Sequence, residues 1–246
     1  MNENKQVKIF NDIHPQVDLE TLLRGLGGGG DNPQIRDEAK WACTVVEELA
    51  RPRGMCGLCQ FELGETGSLK VIAPDNLEPV RLEIGKRGVE LLKGAKSLQI
   101  SFVTLGNGVQ KLAAELKSSG DMLKDYLLDT ALVFALYHAG QVINQFAEET
   151  ARAKSWGVGP RLSPGSLQSW PLEDQAVLAD LLPIAQIGME IRSSSLLYPL
   201  KSASSMVGMG PGYTDSQVGT VCRWCRNQKN CPIQMAGLNQ QPACSS

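Results

Sequence analysis

Two groups of residues in this 246-residue chain have the types and spacing to do chemistry. The first is Arg161-x-Ser163-Pro164-Gly165, followed closely by Trp170-Pro171. A guanidinium fork grips a carboxylate or phosphate bidentately, and a nearby glycine lets backbone amides approach the same anion. The competing reading is a surface arginine beside a turn. The second group is Cys222-x2-Cys225-x5-Cys231-Pro232. Thiolates at this spacing supply most of a zinc or iron–sulfur site, with a fourth ligand from Cys244, Cys56, Cys59 or outside the chain. The alternative is a set of free cysteines. Cys56-Gly57-Leu58-Cys59, expected in a loop, reads as a redox pair, half a metal site or two unrelated thiols. Gly25, Gly27 and Gly30 formally satisfy G-x-G-x-x-G, but a dinucleotide loop follows a strand and the preceding segment has helical character. These glycines therefore read as a turn.

The elements that must position these groups alternate between strands and helices. Val7 and Ile9 suggest a short strand, and residues 18–26 a small helix. Asn32-Pro33 is an N-cap followed by proline at the first helical position, ahead of apolar residues at helical spacing up to Pro52. Residues 68–105 turn to strand alternation at Leu69 and Val71, at Val80, Leu82 and Ile84, and at Leu98, Ile100 and Phe102, with a short helix over Lys86 to Lys93. One helix is expected from Val109 to Ser118, and Asp121 caps the next, from Met122 to about Ala153. That long helix is apolar on nearly all sides between Leu127 and Ala139, so it reads as central and buried. Thr130, Tyr137, Gln141, Asn144 and Glu148 form one polar stripe along it, either a partly solvated face or the wall of a cleft. His138 lies one step off the stripe and reads as a packing or surface histidine. A short helix beginning at Trp170-Pro171 and a strand pair joined by Tyr198-Pro199 complete the region around Arg161.

Composition excludes several function classes. A net charge of -2 without any basic run gives no bulk attraction to nucleic acid or anionic lipid. The opening MNENKQVKIF lacks the long apolar region of a signal peptide, and no apolar run approaches a membrane span. The expectation is a cytoplasmic protein with no nucleic-acid or membrane partner. Its seven cysteines then read as thiols or metal ligands rather than a disulfide framework.

The string R-x-S-P-G, then W-P-L-x-x-Q, a leucine-rich helix, I-G and the K-S-x-S of Lys201, Ser202 and Ser204 resembles the activation domain of cobalamin-dependent methionine synthase. The likeness is strongest to its short, free-standing anaerobe type. It extends back through Thr104-Leu105-Gly106 and Leu127-Leu128-Asp129 and covers most of residues 20–235. The resemblance implies an α+β fold in which a twisted antiparallel sheet is flanked by helices. Its divisions would be an N-terminal segment of the same unit (1–66), a core (67–215) and a cysteine-rich tail (216–246).

The resemblance also implies a function in methionine biosynthesis, the reductive reactivation of a corrinoid methyltransferase with S-adenosylmethionine as methyl donor. Arg161 would anchor the ligand's carboxylate, Ser163, Pro164 and Gly165 would shape the pocket, and Tyr137 would stand near a glutamate position of the family. Ser166 stands where the family carries a tyrosine after the glycine. His14 and His138 are the only histidines, and neither sits in a cobalamin-binding Asp-x-His-x-x-Gly motif. The cobalamin is therefore expected on a separate corrinoid protein, with an electron donor such as flavodoxin or ferredoxin. The alternative is a metal- or iron–sulfur-binding accessory subunit of a corrinoid enzyme that has lost S-adenosylmethionine.

Overall fold

The computed structural model describes residues 7–28, 30–74, 76–225 and 228–238. β1 (Val7–Phe10) leads to α1 (Leu19–Gly25), which begins at Asp18, whose carboxylate accepts from the Thr21 amide at 2.8 Å and its hydroxyl at 2.7 Å. α2 (Pro33–Leu49) starts as the Asn32-Pro33 pair predicts, with Asn32 Oδ1 accepting from the Gln34 amide at 2.9 Å. Next come β2 (Arg53–Leu63), β3 (Ser68–Ala73) and β4 (Asn76–Glu83), then α3 (Gly85–Leu92) and β5 (Ser97–Thr104). α4 (Gln110–Ser119) precedes α5 (Met122–Ala153), capped by Asp121 through the Lys124 amide at 3.1 Å. The chain continues through β6 (Gly157–Leu162), α6 (Asp174–Ala179), β7 (Glu190–Arg192), β8 (Leu196–Tyr198), β9 (Ser202–Gly210), β10 (Gly219–Thr220) and α7 (Pro232–Met235).

The main sheet has the order β10-β6-β9-β5-β2-β3-β4, with β1 also on β2. All its pairings are antiparallel except that of β10 with β6. The expected α+β architecture, a mainly antiparallel sheet flanked by helices, is therefore present. One face packs Met55, Leu98, Ile100, Phe102 and Met206 against Trp170 and the α6 region. The other face carries α5, whose Ala139 and Ile143 meet Cys56 and Val103, while Ala147 and Ala151 meet Val207. On its far side α5 packs against α2 through Ala131, Ala135, Ala39, Ala42 and Val46. α5 is long and apolar enough by length and composition to cross a membrane, but 56% of its most apolar stretch is buried within the molecule. It is a core helix clamped between sheet and helix.

Three local expectations are corrected. Cys56 to Cys59 lies not in a loop but inside β2, where β5 pairs the whole stretch and β1 pairs the other side at Cys56 and Gly57. Residues three apart in a strand point to opposite faces, and Cys56 packs with Ile143 while Cys59 belongs to the other core. They cannot act as one redox pair or share a metal. The strand expected to pair across Tyr198-Pro199 pairs elsewhere: β8 is hydrogen-bonded to β7, while β9 enters the main sheet between β5 and β6. The helix expected from Trp170 begins only at Asp174, because the fully buried Trp170 indole donates to Asp174 Oδ2 at 3.0 Å and holds the turn before it.

Candidate functional site

β6 delivers Arg161 to the α5 side of the sheet. A register shift between Val158 and Arg161 sets Arg161 opposite Val207 and Leu162 opposite Met206. Leu162 and Met206 enter the core on the α6 side, so Arg161 and Val207 take the side of α5. There the guanidinium lies against Gly140: a Cβ at that position would stand 3.0 Å from Arg161 Nη1. The single glycine of α5 thus stands where the arginine crosses the helix.

Between α5 and the sheet lies a cleft of about 190 Å³. Ser101, Val103, Ala203 and Ser205 form its floor on β5 and β9, Tyr137, Gly140 and Ile143 its wall on α5, and Arg161 and Ser163 its rim. Ile233 of α7 closes one side. The two floor hydroxyls, Ser101 Oγ and Ser205 Oγ, are 2.8 Å apart and hydrogen-bonded. The Tyr137 ring centre is 5.7 Å from the Arg161 guanidinium, within cation–π range.

Among the described residues no carboxylate pairs with Arg161. Burial pushes its pKa below the ordinary arginine value, against the opposing influence of Tyr137, Cys222 and Cys231. A desolvated cation without an anionic partner is costly, so the cleft presents a positive charge in need of a counter-anion. Burial pushes the Tyr137 phenol up, with Arg161 working the other way.

The polar stripe on α5 resolves into separate parts. Asn144 Nδ2 donates to Gln141 Oε1 at 2.7 Å, Gln141 Nε2 donates to Tyr137 Oη at 3.1 Å, and Tyr137 donates to the Leu238 carbonyl at 3.0 Å. Thr130 donates to its own helix at Tyr126, and Glu148 accepts from the Val218 amide at 2.9 Å. Only Tyr137 of the stripe lines the cleft. His138 Nδ1 is buried without a partner among the described residues, and burial pushes its pKa down.

The Ser163-Pro164-Gly165 turn is held by Ser166, whose hydroxyl donates to the Ser163 carbonyl at 2.6 Å. The same hydroxyl accepts from the Ser163 amide at 3.3 Å. Gly165 takes a left-handed φ of 76° and donates to the Trp170 carbonyl at 2.9 Å. The structure thus brings Arg161, Ser163 and Tyr137 to one cleft, while Pro164 and Gly165 shape the turn behind it without lining it.

The Ser202 hydroxyl donates to Pro199 O at 2.6 Å and lies 2.8 Å from Thr104 Oγ1, and the Ser204 hydroxyl donates to Gln175 Oε1 on the opposite side of the sheet. The alternate position Ser205, not singled out from the sequence, supplies the floor hydroxyl. Strand alternation through Ala203 and Ser205 is the signal that would have found it. Gly140 and Ile233 gave no sequence signal, because their roles depend on elements meeting in space. The Tyr213 ring packs over Gly159, where a Cβ would stand 2.8 Å from the ring, and its hydroxyl donates to Leu91 O at 2.8 Å. It supplies no ring to the cleft.

Among the described residues no three His, Cys, Asp or Glu side chains gather to hold an ion. Cys222 opens a short 3-10 turn, Cys225 is tied by a backbone bridge to Leu167, and Cys231 sits at the N-cap of α7. Cys244, one proposed fourth ligand, lies outside the described residues.

No protein-family model matches the chain, and no curated protein matches it. Among solved structures, a crystal structure of the MetH reactivation domain bound to AdoHcy matches with a TM-score of 0.58. The match covers 93% of this chain and 87% of that one at 14% identity. The chain shares that fold. An identity this low carries the architecture alone, and the roles of Arg161, Tyr137 and Ser163 rest on the geometry around them.

Proposed function

We propose that the chain binds S-adenosylmethionine in the cleft between α5 and the sheet and presents it to a separate corrinoid-binding methyltransferase for reductive reactivation. The observation that carries this reading is Arg161, a desolvated guanidinium at the cleft rim with no carboxylate partner among the described residues. The fold shared with a reactivation domain solved with AdoHcy supports it. The ligand's carboxylate supplies the missing anion, and the guanidinium fork matches it bidentately. The floor hydroxyls of Ser101 and Ser205 offer an acceptor to the ligand's ammonium and a donor to its carboxylate. At about 190 Å³ the cleft suits the amino-acid end, which leaves the sulfonium methyl and the adenosyl group toward the opening.

In this reading the methyl group passes from the sulfonium to the partner's cobalt, once an electron donor such as flavodoxin or ferredoxin has reduced it, leaving S-adenosylhomocysteine. The chain's own task is binding, orientation and exclusion of water. The competing reading, a metal-bearing accessory subunit, requires the tail thiols to converge. Calorimetric titration of the reduced protein with S-adenosylmethionine and S-adenosylhomocysteine is expected to give saturable binding at one site. Adding a corrinoid protein and a reductant should then make methyl transfer depend on this chain. Absence of binding up to millimolar ligand would end the reading.

A further inference from the structure

The face of α5 that walls the cleft does not end at Val133. Asp129 stands one turn earlier, and with Val133, Leu136, Tyr137 and Gly140 it follows steps of three and four residues along one side of the helix. On the sheet, Lys201 precedes Ala203 by two residues and so takes the same face as the cleft floor. Its carbonyl accepts from the Leu105 amide at 2.9 Å, which carries the β5–β9 ladder one step past Thr104 and Ser202. The two side chains meet across the gap, with Lys201 Nζ 2.7 Å from Asp129 Oδ1. The ion pair is thus built from the next position beyond the wall and the next beyond the floor, and it spans helix to sheet at the end of the cleft away from Arg161. Its side chains are 23% and 59% exposed, so it is open to solvent and adds little to stability. Polar groups therefore stand at both ends of one groove, Arg161 and Ser163 at one and Lys201 and Asp129 at the other, while Val103, Val133 and Ala203 line the stretch between. From Gly140, where Arg161 crosses, back to Asp129 the helix rises about 16 Å, a span comparable with that of an outstretched S-adenosylmethionine.

We propose that Lys201 and Asp129 read the adenine ring of the ligand whose carboxylate Arg161 holds, and so set its specificity for an adenosyl group over other nucleosyl groups. The assignment rests on the S-adenosylmethionine reading above. Adenine carries a donor, the N6 amino group, beside an acceptor ring nitrogen. The ion pair presents the complement, a carboxylate that accepts and an ammonium that donates. A carboxylate has about four lone-pair sites and an ammonium three hydrogens, so each keeps capacity for a ligand after meeting the other. Val133 and Ala203 offer apolar surface to the flat faces of the ring. The cleft proper then takes the amino-acid end, and the groove running on towards the ion pair takes the nucleoside.

The test titrates the full, reduced chain with S-adenosylhomocysteine and with S-inosylhomocysteine by calorimetry. In the inosyl compound an oxo group replaces the N6 amine and N1 carries a hydrogen, so donor and acceptor are interchanged. Wild type is expected to bind the adenosyl compound about tenfold or more tightly, because a site built to hydrogen-bond one pattern rejects the analogue that reverses it. In Asp129→Asn that preference should fall towards one, since a carboxamide donates as well as accepts. Lys201→Met should weaken S-adenosylhomocysteine several-fold, and Arg161→Met should weaken both compounds alike and leave their ratio as in the wild type. Urea denaturation of the same variants separates recognition from bracing: a mere brace between helix and sheet would shift stability without moving the ratio. A wild-type ratio near one, or a ratio unchanged in Asp129→Asn, would overturn the role of the pair and leave the S-adenosylmethionine reading in place. If neither compound binds, the role of the pair and that reading fall together.

Discussion

Replacing Arg161 by methionine should separate function from stability. In the folded protein the guanidinium is desolvated, its pKa is pushed down by burial, and no carboxylate among the described residues faces it. A folded-state value below the ordinary one means that at neutral pH the charged form is held at the expense of folding. Methionine has similar length, fills the space beside Gly140 and Tyr137, and removes that charge. Thermal stability of the unliganded variant is therefore expected to hold or rise. Binding should respond in the opposite direction. Loss of a charge-assisted hydrogen-bond pair is worth about 1.5–3 kcal/mol, which weakens Kd by roughly tenfold to somewhat over a hundredfold. Arg161→Lys keeps the charge without the planar fork and should fall between the two. Calorimetry with S-adenosylmethionine, paired with chemical denaturation of the same samples, reads both effects. A methionine variant that unfolds more easily yet binds with unchanged affinity would refute the argument, since Arg161 would then be a structural residue.

Gly140→Ala places a Cβ 3.0 Å from Arg161 Nη1. Denaturation should show a stability change between neutral and the gain of about 1 kcal/mol usual for helical Gly→Ala, while calorimetry shows several-fold weaker binding as the guanidinium is displaced. Native alkylation near pH 8 followed by mass mapping should label Cys222, Cys225 and Cys231 first, because burial pushes the Cys43 thiol up to about 11 and those of Cys56 and Cys59 up to about 12. Asp18→Ala should cost about 1 kcal/mol at neutral pH through loss of the α1 cap. Hydrogen bonds from Thr21 hold the Asp18 carboxyl below its ordinary value of 3.8, so its stabilisation is present above that value and lost as pH falls through the lower folded one. Urea titrations of wild type and variant should converge in acid. Trp170→Ala empties a fully buried site and removes the Asp174 hydrogen bond, with an expected loss of about 3–5 kcal/mol measured by denaturation.

Elements with strong local signals were legible from the sequence. Asn32-Pro33 fixed the start of α2, Asp121 that of α5, and the alternation of Leu98, Ile100 and Phe102 revealed β5. β2 was missed because its centre, Met55 to Cys59, is buried on both faces and shows small residues and cysteines instead of alternation. β6 escaped because glycine and proline, which weaken any strand signal, occupy three of its six positions. Of the residues singled out with the R-x-S-P-G string, Arg161, Ser163 and Tyr137 line one cleft. What remained hidden was what each residue faces. Gly140 beneath Arg161, Ser205 in place of Ser204, and the tail against Tyr137 depend on contacts between segments distant in sequence, which no local pattern encodes.

The pairing of β10 beside β6 bears on how the molecule comes together during synthesis. The cleft floor joins β5 to β9 across about a hundred residues, and the outer edge of the arginine-bearing strand is covered only when Gly219 and Thr220 arrive. As the ribosome advances, α2 and α5 can already stack, and β1, β2 and β5 can already pair, while Arg161 still lies on an open sheet margin. The corner around Arg161 is therefore among the last parts to be assembled. Nascent chains halted before Gly219 would expose an unpaired strand, the kind of edge that chaperones shield and that otherwise recruits a neighbouring chain.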